Sequence, residues 1–479
     1  MTTTGFATPP APSAGSTLVN DIHSQLNPTW VGRVAAVRSV SDVQTVVLDA
    51  ARHDLAVCTA GGWHAMGGQQ FASGGVLIDT RPLRRVLAFD DERGLIDVEA
   101  GIQWPELIDY LLGVQRGAVR QWGIIQKQTG ADRLSIGGAL SANAHGRGLT
   151  LKPMIGDVEA FTLVDASGEL RRCSRTENAQ LFQLVIGGYG LFGVIGTVTL
   201  RLAPRRKVRR TVEIRTADEL MPAFDERIAN GYDFGDFQFA LDPDSPDFLR
   251  RGIFSCYQPV DDATPMPEAQ RSLSPDDWTR LLHFAHTDKK KAWEAYSSHY
   301  LATTGQIYWS DTHQLSTYMD DYHAALDATL GSAHRSTEMI TEIYVSRPQL
   351  AEFLQEAADE FRRNGSSCIY GTVRLIERDD ESFLAWAKDA YACTIFNICT
   401  EHTPAGLERS QAMFRRLIDI AARRGGSYFL TYHRWATREQ VLQCYPQLPD
   451  FLRLKRTYDP AGRFQSDWYR HYTRMFDAA

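Results

Sequence analysis

A single histidine, His64, stands between two glycine pairs in the stretch Gly61, Gly62, Trp63, His64, Ala65, Met66, Gly67, Gly68, Gln69. This stretch directly follows the apolar run Leu55 to Cys58, which reads as a buried strand. Glycine lets a backbone turn sharply and approach a ligand closely, because no Cβ stands in the way. A second stretch, from Gln128 to Gly148, is rich in small and hydroxyl residues and contains Gly130, Ser135, Gly137, Gly138, Ser141, Asn143, His145 and Gly146. Such residues leave backbone N–H groups free to face an anion, which is how proteins cradle phosphates without a positive side chain. Two such loops in one domain predict a large cofactor with a diphosphate. Far along the chain, Arg374, Tyr432 and His433 carry groups suited to stabilising charge and moving protons. Imidazole is matched to neutral pH, whereas a phenol needs a lowered pKa from a neighbour such as Arg374.

The elements that position these groups are written in the apolar spacing. Val43, Val46, Val47 and Ala50 predict a helix opened by a capping box of Ser41 and Gln44, and this helix feeds the strand before the His64 loop. Short β-rich runs follow at Val76 to Asp79, Val86 to Phe89 and Leu95 to Ala100, then a helix with Pro105 in its first turn. The segment Gly188 to Gly193 matches the GxGxxG dinucleotide pattern, with Glu213 suitably spaced. The β-branched run from Val194 nevertheless predicts a strand where a dinucleotide site needs a helix N-terminus, so an NAD fold is excluded.

Beyond residue 210 the order changes to strand 338–345, helix 346–365, strands 368–376 and 394–400, helix 407–424 and strand 427–434. This β-α-β-β-α-β order is the split βαβ signature, with helices on one face of an antiparallel sheet. Alternation turns Ile369, Gly371, Val373 and Leu375 to the helices and Tyr370, Thr372 and Arg374 to the free face. The last strand sends either Tyr428, Leu430 and Tyr432, or Phe429, Thr431 and His433, to that same side. The aromatic and polar segment from Gln306 to His313, with Tyr318, Tyr322 and His323 on a following helix, suits a pocket for a sugar or an aromatic compound.

Composition narrows the partners. A formal net charge of -7 in 479 residues gives no basic excess for nucleic acid or an anionic membrane, which points to a small-molecule substrate. The basic run from Arg205 to Arg210 reads as a solvated face or domain boundary. Seven scattered cysteines without a CxxC pair argue for a reducing, cytoplasmic setting and against a thiolate metal site. Residues 1–26 read as an unstructured leader, and no apolar run is long enough to span a bilayer.

Taken together, these motifs resemble the vanillyl-alcohol-oxidase, or PCMH-type, FAD-linked oxidoreductases, nearest to the sugar and polyol branch of alditol oxidase, gulonolactone oxidase and decaprenylphosphoryl-ribose oxidase. The residues that carry the resemblance are Gly61 to His64, Ile136 to Gly146, Gly190 to Gly196 and the closing segment Tyr458 to Asp467. It implies an α+β chain with a two-subdomain FAD-binding domain at 27–205, a substrate or cap domain at 206–425 with an antiparallel sheet covered on one face, and a C-terminal segment at 426–479 returning to the first domain. It further implies FAD held by residues 61–69, by Gly130, Ser135, Gly137, Gly138, Ser141, Asn143, His145 and Gly146, and by Ile195, with a covalent link at His64. His145 and Arg374 would lie beside the flavin, with Thr372 where relatives of alditol oxidase carry a glutamate and Tyr432 where relatives carry a lysine. The expected reaction is oxidation of a hydroxyl-bearing carbon, with Tyr432 or His433 as base and molecular oxygen as one candidate acceptor. A biosynthetic oxidase or oxidative cyclase acting on an aromatic or polyketide-like compound, and a flavin-binding protein without turnover, are the alternatives.

Overall fold

The computed structural model describes residues 15–316, 319 and 322–477. Residues 1–14 of the expected leader, and Tyr318, lie outside the described residues. From residue 15 the leader is part of the fold. Thr17–Val19 pairs antiparallel with Thr29–Val31, and the buried Asp21 carboxylate accepts from the N–H groups of His23, Ser24 and Gln25.

In the first domain a three-stranded parallel sheet, in the order Arg33–Ala36, Val76–Asp79, Val57–Ala60, is backed by the helix Val40–Arg52. The helix cap is Ser39 with Asp42, two residues before the expected pair, because the Gln44 side chain reaches across to the Gly168 carbonyl instead. Val43, Val47 and Ala50 pack on Val57, Val76, Ile78 and Val194. A second, antiparallel sheet carries Val194–Pro204 at its centre. A strand therefore follows Gly193 where the dinucleotide pattern would require a helix.

After Pro204 the chain enters an eight-stranded antiparallel sheet at Lys207–Thr216. Ser336–Ser346, helix Leu350–Asn364, Ser367–Ile376, Tyr391–Glu401, helix Pro404–Ala422 and Ser427–Tyr428 form the split βαβ unit. Both helices pack on one face, where Phe353 and Phe361 meet Phe396 with ring centroids 6.4 Å and 5.3 Å away. On the opposite face lie the helices Pro275–Thr287 and Lys289–Leu301 and the glycine-rich loops of the first domain. The last strand stops at Tyr428, short of the expected residue 434. Its continuation is taken by the first domain: the Gln69 amide donates to the carbonyls of Leu430 and Thr431 at 3.0 Å and 2.9 Å.

The C-terminal segment packs against the first domain. Val57 N–H donates to Arg463 O at 2.7 Å, Gln465 N–H donates to Val57 O at 2.9 Å, and Ser73 donates to Asp467. This return is fixed by Asp459, 2 % exposed, which pairs with the fully buried Lys455 at 2.5 Å and accepts from the N–H groups of Arg463 and Phe464. Removing one partner of such a pair leaves the other charge buried and uncompensated. Asp459→Ala should therefore destabilise the protein by about 3–5 kcal/mol, measured as a lowered urea midpoint.

Candidate functional site

A cavity of about 700 Å³ lies between the two domains and is walled by both glycine-rich loops, the free face of the large sheet and the 275–301 helices. In the first loop the glycines allow direct contact with the second: a Cβ on Gly61 would stand 1.9 Å from Ser135 Oγ, and one on Gly62 would stand 2.3 Å from Arg133 O. Trp63 between them takes a left-handed backbone with φ +64°. Among the described residues, the backbone N–H groups of Gly61, Gly62 and Ala65 and the buried Trp63 indole N–H have no protein acceptor. Unmatched donors on a cavity wall fit an anionic group such as the diphosphate of FAD. In the second loop the amides are already committed, Gly137 N–H to Ala100 O and Gly138 N–H to Ser135 Oγ. That loop lends close-packed surface where free donors were expected.

His64 Nδ1 is 2.7 Å from His23 Nε2, a residue of the segment expected to be unstructured. Burial and the neighbouring His23 hold the His64 pKa well below its ordinary value, so its imidazole is neutral at physiological pH.

A carboxylate that sequence reasoning did not single out organises the wall beyond. Glu342, 2 % exposed on the strand Ser336–Ser346, faces His145 Nε2 at 2.6 Å, Cys393 Sγ at 2.9 Å and the Tyr344 hydroxyl at 2.9 Å through Oε1. Its Oε2 accepts from the Tyr432 hydroxyl at 3.1 Å. The His145 ring also bonds the Gly146 carbonyl through Nδ1 at 3.0 Å, and a carbonyl only accepts, so one proton is shared along the Nε2 to Oε1 line. Burial pushes Glu342 up, but the attraction of His145 and the bonds from His145, Cys393 and Tyr344 outweigh it and hold the pKa at about 2. Burial and the Glu342 charge push Tyr432 and Cys393 well above their ordinary values, so both keep their protons. The lowered tyrosine pKa expected from Arg374 is thus overturned by a nearer carboxylate. That carboxylate lies on a different strand from Arg374, in register with Ile395, the residue that Thr372 also pairs with. A lone glutamate within the apolar run Met339 to Val345 was the available signal.

The cavity wall includes residues 61–66, Gln69, Gly130, Ser135, Gly137, Gly138, Ser141, His145, Ile195, Arg374 and Tyr432. Five expected site residues lie off it. Gly67 and Gly68 close the turn against Gln69 and Arg434. Asn143 caps the short helix Ile136–Ala142 in a left-handed conformation and donates to Asp379, and Gly146 donates to Gln126. His433 is buried beside Phe414 and Trp435, its ring stacked on Trp435 at 4.5 Å, and burial holds its pKa well below the ordinary value. It is not on the cavity wall, which takes Phe429, Thr431 and Tyr432 from this segment and so follows neither expected alternation set, because the strand ends at Tyr428. Arg374 is 6 % exposed and its Nε has no partner among the described residues.

At the far end stand Arg147, Arg210, Asp236, Tyr257, Tyr300, Tyr308 and His313. The basic run splits: Arg206 and Arg209 are exposed, whereas Arg205 pairs with buried Asp311 at 2.7 Å and Arg210 is 7 % exposed.

A family model described as FAD binding domain matches residues 31–174. An uncharacterized oxidoreductase of the fasciation locus of Rhodococcoides fascians is 33% identical over 199 residues, 41% of this chain and 42% of that protein. The L-gulono-1,4-lactone dehydrogenase of Mycobacterium tuberculosis is 26% identical over 439 residues, 91% of this chain and 95% of its own. Decaprenylphosphoryl-beta-D-ribose oxidase of Mycolicibacterium smegmatis is 22% identical over 457 residues, 91% of this chain and 94% of its own.

Two outcomes are expected. Gly61→Ala should lower the flavin-to-protein absorbance ratio of the purified protein while leaving its circular dichroism unchanged, and adding Ser135→Gly should restore loading by removing the clash. Because the folded Glu342 pKa is depressed, its contribution to stability is present above the ordinary carboxylate value and is lost as the pH falls toward about 2. The urea midpoint of Glu342→Gln should therefore depend less on pH than wild type across that acid window.

Proposed function

The chain is an FAD-dependent oxidoreductase built on a PCMH-type FAD-binding domain, and from that premise we propose that it oxidises a hydroxyl-bearing carbon of a sugar-like small molecule to a carbonyl, with FAD covalently attached at His64. The observation that carries this reading is the hydrogen-bonded array Tyr432, Glu342, His145, which lines the same cavity as the His64 loop. The lactone and ribose compounds named for the relatives motivate the substrate class.

Bound FAD would supply a two-electron acceptor, so this chain must hold the hydroxyl-bearing carbon and take up the hydroxyl proton. Tyr432 donates to Glu342, which leaves a phenol lone pair to accept from the substrate hydroxyl. As that proton arrives, the phenol proton shifts along its hydrogen bond toward the ionised Glu342 Oε2, so the pair shares the proton that the substrate gives up. Arg374 places a buried positive charge on the same wall, which stabilises negative charge gained by the acceptor. The loop amides of Gly61, Gly62 and Ala65 would hold the diphosphate. The neutral His64 imidazole retains a lone pair, the form needed to bond a cofactor carbon. A second reading, oxidation of an aromatic compound, is favoured by the rings of Tyr257, Tyr300 and Tyr308 on the wall.

A panel of polyols, sugar lactones and aromatic alcohols mixed anaerobically with the holoenzyme should bleach the flavin with at least one member, and a flavin that no member bleaches refutes the reading. Product analysis of the bleaching member separates the two substrate classes. Tyr432→Phe should slow flavin reduction by about 10²-fold or more, the size of a lost general base, with little change in flavin content. His64→Ala should release its flavin on denaturation and precipitation while wild type retains it; release from wild type would remove the covalent link from the proposal.

A further inference from the structure

We propose that the far end of the cavity is a recognition site for a carboxylate, so that the substrate is a hydroxy compound bearing one carboxylate group. The oxidation of that compound rests on the function proposed above, but the anion site rests on its own residues.

Arg210 is 7 % exposed, donates from Nε to Ser255 Oγ at 2.9 Å, and has its guanidinium carbon 4.5 Å from the Tyr300 ring centre and 5.5 Å from that of Tyr257. The Arg147 guanidinium carbon is 4.8 Å from the same Tyr257 centre. Two cations thus share one ring. Among the described residues Arg210 has no carboxylate within ion-pair range, and Arg147 has only Asp236, at 3.9 Å. Aromatic faces attract a guanidinium but do not neutralise it, and two like charges in a desolvated chamber repel.

Elsewhere on the wall the ionisable groups have polar partners of their own, except Arg374, which has no carboxylate within ion-pair range among the described residues. Lys127 pairs with Asp132 at 2.7 Å, Glu342 pairs with His145 at 2.6 Å, and Lys289 donates to the carbonyls of Ala285 and Cys368. His313 adds no charge, since burial, Arg147 and Arg210 hold its pKa well below the ordinary value. Within this cluster two guanidiniums face one Asp236 carboxylate, an excess of one positive charge that a monoanion balances. The guanidinium fork matches a carboxylate in shape as well as in charge. Asp236, 3 % exposed, adds a further mark of a ligand: its Oδ1 has no hydrogen-bond partner, while Oδ2 accepts from Gln238 at 2.7 Å. A buried carboxylate oxygen on a cavity wall is suited to accept from a hydroxyl, so the ligand carries hydroxyls beside its carboxylate.

Isothermal titration calorimetry on the holoenzyme tests this with two carboxylates, gluconate and hydroxymethylbenzoate, their neutral counterparts sorbitol and benzyl alcohol, and sorbitol phosphate as a dianion. At least one carboxylate should bind about tenfold or more tightly than its counterpart, the scale of one charge-assisted contact. Arg210→Met and Arg147→Met should each abolish that advantage, bringing carboxylate affinity down to that of the neutral compound. Arg210→Lys should keep part of it, and it keeps the test valid if Arg210→Met does not fold. The proposal falls if neither carboxylate binds, if the neutral compounds bind equally well, if the advantage survives both methionine variants, or if sorbitol phosphate binds more tightly than both carboxylates. Flavin bleached by neutral alcohols without carboxylate binding would sink this inference alone. Carboxylate binding with a flavin that nothing bleaches would sink the proposed function alone.

Discussion

A buried negative charge holds the two domains in register. Glu342 sits on the large sheet, yet the partner nearest to its charge, His145, comes from the second loop of the FAD-binding domain, 2.6 Å away. Taking a carboxylate out of water costs several kcal/mol, and donors set close to its oxygens must offset that cost. Four donors do so, and they come from three parts of the chain: His145, then Tyr344 and Cys393 on adjacent strands, then Tyr432 after the last strand. Separating the domains would strip that charge of its main partner. The free face of the sheet is therefore fixed over the loops, and the cavity between them has a defined shape.

The same logic governs the edges of the cavity. The last strand of the split βαβ unit gives up its ladder after Tyr428, and Gln69, from the first loop, satisfies the carbonyls of Leu430 and Thr431 instead. That exchange turns Tyr432 toward Glu342 and sends His433 into an apolar recess with Phe414 and Trp435. The C-terminal return, anchored by Lys455 and Asp459, then pairs with Val57 at the strand that launches the His64 loop. Loop, sheet face and closing segment thus support one another. Tyr432, Glu342 and the His64 loop end up on the wall of one cavity.

Charge is distributed unevenly along this cavity. Near the loops the donors are backbone amides and a neutral imidazole, suited to a diphosphate and a ring. Glu342 and Arg374 add one negative and one positive side chain to the same wall. At the far end, Arg147 and Arg210 gather around Tyr257.

The amino-acid sequence by itself determined whatever depends on near neighbours. Glycine pairs around His64, β-branched residues after Gly193 and the apolar stripe from Leu350 to Phe361 specify a tight loop, a strand and a helix through local backbone preference and periodicity. The split βαβ order and the α+β class follow from those elements. Only the tertiary structure decided which polar residues meet. Glu342 was one glutamate in a strand, Arg210 one cation in a basic run, and His23 one residue of a polar leader until folding set each against a partner far off in the chain. Tyr432 and His433 were equivalent under alternation, and they parted because the strand ends at Tyr428, before either. Burial and long-range pairing set the charge state of a side chain, and neither is written in the spacing of its neighbours.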